Sequence, residues 1–327
     1  MRVAFVGKGG SGKSTITSIF SRYLMDNSIP QIIIDADINM HLNLLLQVHH
    51  DKSKSISLDA NVSQVREFLR GCNKHIGSSN LYVKTTPPGI GSNFLINKSQ
   101  NYILKEFSTQ INSNTYFLEV GTYESEGIGT SCYHGNLSVL ENVLTHSLDD
   151  EESFVVVDMV AGTDAFSNSL HLLFDAIVFV LEPTPESISV YKKYVELSKS
   201  AGVEQNLYCL LNKAEDEDDT KFVKSQGIDI NWILPYSKQL RKYSQYIISE
   251  FNDDENSENT RIQLPQKVTE VADEIFEDIK GTLKDRDEIL KQIHELHLKY
   301  IAQDYIVKTM GDLSDQIDTK FSFKKLN

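Results

Sequence analysis

Residues 2–15 read Arg2-Val3-Ala4-Phe5-Val6-Gly7-Lys8-Gly9-Gly10-Ser11-Gly12-Lys13-Ser14-Thr15. The apolar run from Val3 to Val6 has the make-up of a short buried strand. Gly7 to Ser14 then matches the phosphate-loop pattern G-x-x-x-x-G-K-[ST], once in the chain. Ile16, Ile19, Phe20, Tyr23 and Leu24 follow at helical spacing. A glycine-rich turn between a strand and a helix has a physical use. Glycines let backbone N–H groups converge on phosphate oxygens, and the helix start adds the positive end of its dipole. Lys13 can reach the β- and γ-phosphates, and the Ser14 hydroxyl can face Mg²⁺. Pro30 punctuates and Gln31 to Asp35 is a second buried strand, so the chain opens as a strand–loop–helix–strand unit of a parallel sheet.

Further along, Tyr116 to Val120 reads as a strand, and Leu137, Leu140, Val143 and Leu144 suit a helix after Gly135. Strands are expected at 153–158, 176–181, 207–211 and 231–234. Helices are expected at 165–173, 185–201, 217–226 and 237–249. This alternation predicts an α/β fold with a doubly wound, mainly parallel sheet. Residues 50–115 are poorly patterned, with a short helix at Val62 to Leu69 and a loop at 85–91. The acidic, polar stretch 251–264 reads as a linker. Beyond it, 266–279 and 284–304 read as helices of a C-terminal extension, 265–327, with Ile289, Ile293, Leu296 and Ile301 as an apolar stripe. Residues 1–250 are expected to form the catalytic domain.

The chain has 327 residues, 40% of them hydrophobic, enough for a full-sized core. Its formal charge of −14 argues against nucleic acid as a partner. Three cysteines, Cys72, Cys132 and Cys209, make no disulfide framework and suit a reducing compartment. No secretory start and no long apolar span are evident, so a cytoplasmic protein away from membranes is expected.

Carboxylates end two of the strands. Asp35 and Asp37 close the second, and Asp158 closes Phe154-Val155-Val156-Val157-Asp158. Ligands in such sheets bind beyond the carboxyl ends of the strands. Phosphoryl transfer there needs one group to orient water and another to support Mg²⁺. Asp158 stands at the Walker B position, and Met159-Val160-Ala161-Gly162 follows it. Asn212 and Lys213 end a later strand. In an N-K-x-D guanine reader the fourth residue is Asp; here it is Glu215, which favours ATP over GTP.

With Lys8 included, residues 8–15 resemble the deviant Walker A motif, K-G-G-x-G-K-[ST]-T. That motif marks the P-loop ATPases of the SIMIBI type that include MinD, ParA, the nitrogenase iron protein, the arsenite-pump ATPase and CooC-type accessory proteins. The resemblance covers about residues 1–250. It implies that ATP closes a homodimer and that Lys8 reaches the partner's phosphates. It implies catalytic roles for Lys8, Lys13 and Asp37, with Asp37 positioning water. Gly7, Lys8, Gly9, Gly10, Ser11, Gly12, Lys13, Ser14 and Thr15 would hold the phosphates, with Asn212 at the base edge beside Lys213. Mg²⁺ would rest on Ser14 and, partly through water, on Asp35 and Asp158. Asp158 to Gly162 resembles switch II, although Val160 stands where CooC-type proteins tend to carry glutamate.

CooC-type proteins carry C-x-C where this chain has Cys132-Tyr133-His134. Two such pairs across a dimer axis would offer a Cys₂His₂ set, suited to Zn²⁺ or Ni²⁺. The plain alternative is a thiol and a surface imidazole with no metal between them. Together these features point to a CooC-like ATP switch acting on an unidentified client or metal. The alternative is a spatial-positioning ATPase like MinD or ParA, for which the basic-aromatic end Lys320-Phe321-Ser322-Phe323-Lys324-Lys325 is a short candidate surface anchor. A third reading is a regulatory module that binds ATP with negligible turnover.

Overall fold

The computed structural model describes residues 1–48, 57–122, 133–242, 245 and 264–326, with only the backbone for 133–135. Eight strands form one sheet, in the order β3-β4-β2-β5-β1-β6-β7-β8. These are β1 (Arg2–Gly7), β2 (Gln31–Ala36), β3 (Ser108–Asn112), β4 (Thr115–Glu119), β5 (Phe154–Met159), β6 (Ala176–Leu181), β7 (Leu207–Ala214) and β8 (Trp232–Pro235). All neighbours pair in parallel except β3, which runs antiparallel to β4 at the edge.

Strand β1 lies between β5 and β6. Its side chains divide between two cores, as period-two alternation requires. Val3 and Phe5 pack with α1 (Lys13–Asp26) and α9 (Gln266–Ile279) on one face. Ala4 and Val6 join a larger core on the other face. That core takes Val65 and Leu69 from α3 (Val62–Arg70), Leu137 to Leu144 from α5 (Tyr133–Thr145) and Ile188 and Tyr194 from α7 (Pro185–Ser200). It also takes Val223 from α8 (Glu217–Ser225) and Ile289 and Ile293 from α10 (Arg286–Ile301). Burial on both faces explains why the central strands read as unbroken apolar runs. Near the β4 edge, Ile33 and Phe117 pack with Leu42 and Leu46 of α2 (Leu42–Leu46).

The C-terminal helices follow their apolar stripes. Val268, Val271, Ala272, Ile275 and Ile279 of α9 bury against α1 and β8, beside Trp232 and Leu234. Ile289 and Ile293 enter the main core, Leu296 packs against its margin, and Ile301 meets Val83, Ile306 and Leu313. Ile306 lies in the last α-helix, α11 (Asp304–Met310). At the amino ends of the strands the buried Arg2 guanidinium donates to Asp149 at 2.7 and 3.0 Å. Arg286, at the start of α10, donates to Asp149 and Asp175 at 2.8 and 2.6 Å. This four-residue network ties the extension to the sheet.

The structure corrects several expectations in detail. The helix expected at 165–173 is a 3₁₀ turn, Asp164–Phe166, and a separate four-residue helix, α6 (Leu170–Leu173). The Ser167 hydroxyl bonds the Asp164 carbonyl at 2.7 Å, and Ser169 turns its hydroxyl to Glu141, so local side-chain bonds compete with the helix. The 284–304 helix ends at Ile301, and α11 begins three residues later. Within 50–115 lie α3, α4 (Tyr102–Phe107) and the polar edge strand β3. Residues 238–242 and 245 are helical; residues 243, 244 and 246–249 of the expected helix and the linker up to 263 lie outside the described residues. The aromatic end is tied to the body, since Phe321 stacks on Phe94 at 5.9 Å and is buried. Among the described residues, no helix is long and apolar enough to cross a membrane.

Candidate functional site

The carboxyl ends of β1, β2, β5, β6 and β7 converge on the loop after β1. Gly12 caps α1 in a left-handed conformation, φ 96° and ψ 20°. A Cβ there would stand 2.5 Å from the Asn212 amide nitrogen. Gly7 is as constrained, since its Cβ would meet the Val180 carbonyl at 2.6 Å. Glycine is thus required for both the turn and its close packing.

Three tethers hold the loop. The Asn212 amide donates to the Ser11 carbonyl at 2.8 Å. The Lys213 ammonium donates to the Gly10 carbonyl and pairs with Glu182, both at 2.8 Å. The Gly162 N–H donates to the Gly7 carbonyl at 3.0 Å, linking the segment after Asp158 to the loop. Lys213 reaches Gly10 because β7 shifts register between Asn212 and Ala214, with Lys213 at φ 63°. A bulge of this kind re-aims a side chain. Asn212, read from the sequence as a base-edge residue, thus has its amide engaged by the loop itself.

The acidic residues gather behind Lys13. The buried Lys13 ammonium lies 3.7 Å from Asp37. Asp37 accepts from the backbone N–H and side-chain amide of Asn39 at 3.0 and 2.9 Å. Asp35 accepts from the Asp37 and Leu42 N–H groups at 3.1 and 3.0 Å, and so shapes the turn into α2. It lies opposite Asp158 in the β2–β5 register. Burial first, then the facing carboxylate, drives the Asp35 pKa well up. Burial likewise pushes Asp158 up to about 7, against the pull of Ser14, Lys13 and Thr17.

Asp158 accepts from the Thr17 hydroxyl at 3.3 Å through Oδ1, while its buried Oδ2 has no partner. An orphaned carboxylate oxygen is costly to bury. Beside the Ser14 and Thr17 hydroxyls it offers the hard oxygen donors that Mg²⁺ prefers. The residues present therefore fit a magnesium ion.

The fold brings Gly7 to Thr15, Asp35, Asp37, Asp158, Asn212 and Lys213 to one end of the sheet. Lys8 is half-buried and forms no ion pair with another described residue. Cys132 lies outside the described residues, as does the His134 side chain, so the candidate Cys132/His134 clip falls there too. Among the described residues no cluster of His, Cys, Asp or Glu has the form of a metal site. Sequence reading missed Glu182 and Thr17. Glu182 follows the apolar strand β6 as Asp158 follows the apolar run Phe154 to Val157 of β5, a signal of the same kind.

No family model matches the chain. An uncharacterised ATP-binding protein of Methanocaldococcus jannaschii is 26% identical over 246 residues, 74% of this chain and 88% of its own length. The carbon monoxide dehydrogenase accessory protein CooC of Rhodospirillum rubrum is 25% identical over 75% of this chain and 87% of its own. Among solved structures, a ParA family ATPase from Chlorobium tepidum matches with a TM-score of 0.54 and 14% identity, over 83% of this chain and 98% of that one. The sheet and its flanking helices are thus those of this P-loop fold.

Proposed function

We infer that this chain, a CooC-like member of the deviant Walker A P-loop ATPases, is an ATP-hydrolysing switch that works as a homodimer. The observation that carries this reading is the orphaned Asp158 Oδ2, buried beside Ser14, Thr17 and Lys13 under a glycine cradle. Such a site is complete only with a cation and its phosphates. Residues Gly7 to Thr15 bind the triphosphate, and Lys13 neutralises its terminal charge. Ser14 and, partly through water, Asp35 and Asp158 hold the Mg²⁺, which neutralises phosphate charge when bound. Asp37 orients water, and Lys8 completes the partner's site. Asn212 and Lys213 fix the loop from below, with Asn212 at the base edge.

ATP drives dimer closure through its greater affinity for the closed state. The Gly162–Gly7 hydrogen bond is the connection through which the loop's occupancy reaches the segment after Asp158. Closure would act on a client or metal, with Cys132 and His134 as candidate Zn²⁺ or Ni²⁺ ligands at the dimer interface. Residues 1–250 form the ATPase domain, 251–264 the link and 265–327 an extension that braces the sheet. The acidic charge and a cysteine count too low for a disulfide framework support a cytoplasmic protein without a nucleic-acid partner. The burial of Phe321 leaves the surface-anchor alternative without its main sequence feature.

Sedimentation with Mg²⁺ and ATP tests the switch. The wild type should shift to a dimer and Lys13→Ala should not; an identical response from both would overturn the reading. Metal uptake by the reduced protein beside Cys132→Ser and His134→Ala tests the clip, which predicts about one metal per dimer, lost in both variants.

A further inference from the structure

A second concave site lies away from the phosphate loop. Helices α3 and α5, the loop at Tyr82 to Lys84, the turn at Ser167–Asn168 and the C-terminal helices line an open cleft of about 650 Å³. That volume suits a small organic ligand. Its lining is unusual in carrying two cations and three tyrosines but no carboxylate.

Arg66 projects from α3, where its guanidinium donates to Asn142 at 2.9 Å and to Ser138 at 3.3 Å. Both partners are neutral. Burial lowers the Arg66 pKa, and among the described residues no carboxylate offsets this. The Lys84 ammonium donates to the Ser167 carbonyl at 2.7 Å and sits 5.0 Å over the Tyr300 ring. Its nearest acidic influence is Glu141, buried behind the wall and hydrogen-bonded to Ser169. Burial pushes Glu141 up to about 7, so it cancels only part of the positive charge near neutral pH. Two cations, with no carboxylate in the lining, thus face one open cleft.

We propose that this cleft binds a small organic oxyanion, a phosphate or carboxylate head held by Arg66 and Lys84 with a flat apolar body against Tyr300 and Tyr305. A largely buried guanidinium with an ammonium beside it is stabilised by an oxyanion that accepts charge-assisted hydrogen bonds from both. The tyrosine faces supply the apolar contact. Ser167 and Asn168 lie five and six residues after Gly162, so the ligand's wall is continuous with the segment tied to the phosphate loop.

Titration calorimetry with phenyl phosphate and with benzoate tests the assignment and separates the two head groups. The phosphate loop also binds phosphates, so Lys13→Ala is the reference protein. Expected is saturable binding of at least one probe to Lys13→Ala, weakened about tenfold or more by adding Arg66→Gln or Lys84→Gln. Lys84 is partly exposed, so Lys84→Gln decides the matter should Arg66→Gln fail to fold. No binding of either probe to Lys13→Ala, or binding unchanged by Lys84→Gln, would overturn the proposal. Neither result bears on the ATPase reading, since the phosphate loop is disabled throughout.

Discussion

Two glycines of the phosphate loop differ in a way that can be measured. Gly10 and Gly12 both have positive φ, 85° and 96°. A Cβ at Gly10 meets nothing within 4 Å, whereas one at Gly12 stands 2.5 Å from the Asn212 Nδ2. Gly10→Ala should therefore cost only the backbone term, about 1–2 kcal/mol. Gly12→Ala adds the displacement of an amide that now donates to Ser11 at 2.8 Å, about 1 kcal/mol more for the hydrogen bond alone. The total is about 2–3 kcal/mol, against about 1–2 for Gly10. Urea unfolding of both variants without nucleotide measures the difference. Adding Asn212→Ala removes the obstructing amide, so Gly12→Ala should cost less in that background than in the wild type. Equal costs for the two glycines, with no relief from Asn212→Ala, would refute the close packing of loop against β7.

Three further outcomes follow from the charges and the tail. Asp158 binds its proton more tightly folded than unfolded, so it lowers stability as pH rises from about 4 to about 7; Asp158→Asn should raise the nucleotide-free Tm at pH 8, by the equivalent of ~1 kcal/mol or more, with the gain fading by pH 4, while abolishing turnover. Asp149 has the opposite sign, because Arg2 and Arg286 hold its carboxyl well below the usual range although burial opposes them. Its stabilisation is present above pH 4 and lost as the pH falls further, and Asp149→Ala should cost about 3–5 kcal/mol in neutral urea melts. Phe321→Ala removes the ring stacked on Phe94 and should cost about 3–5 kcal/mol if the tail unfolds with the body, or much less if it frays separately, which hydrogen exchange at residues 314–326 would show.

The parts of the site legible in the sequence are those carried by local pattern. Gly7 to Thr15 announce themselves by glycine spacing, and Asp35 and Asp158 by ending apolar strands. What sequence could not show depends on distance in the fold. Glu182 and Lys213 meet only because β6 and β7 are neighbours and because β7 bulges at Lys213. Arg2, Asp149, Asp175 and Arg286 come together from four separate segments. The edge strand β3 was unreadable because its residues, Ser108-Thr109-Gln110-Ile111-Asn112, alternate between no clear faces; pairing with β4 supplies its order instead. Much of 75–94 is placed by the distant C-terminus, with the Ile90 N–H donating to Asp318 at 2.9 Å and Thr86 bonding Gln316 at 3.0 Å. No local pattern could have foretold those partners.

ATP hydrolysis and dimer closure are coupled in this reading, so turnover as a function of protein concentration tests both at once. Mg²⁺-dependent ATP turnover per chain should rise with protein concentration and level off once the dimer saturates, and Lys8→Ala should remove the rise while leaving ATP binding intact. Turnover per chain that is flat over the whole range, or unchanged in Lys8→Ala, would contradict it.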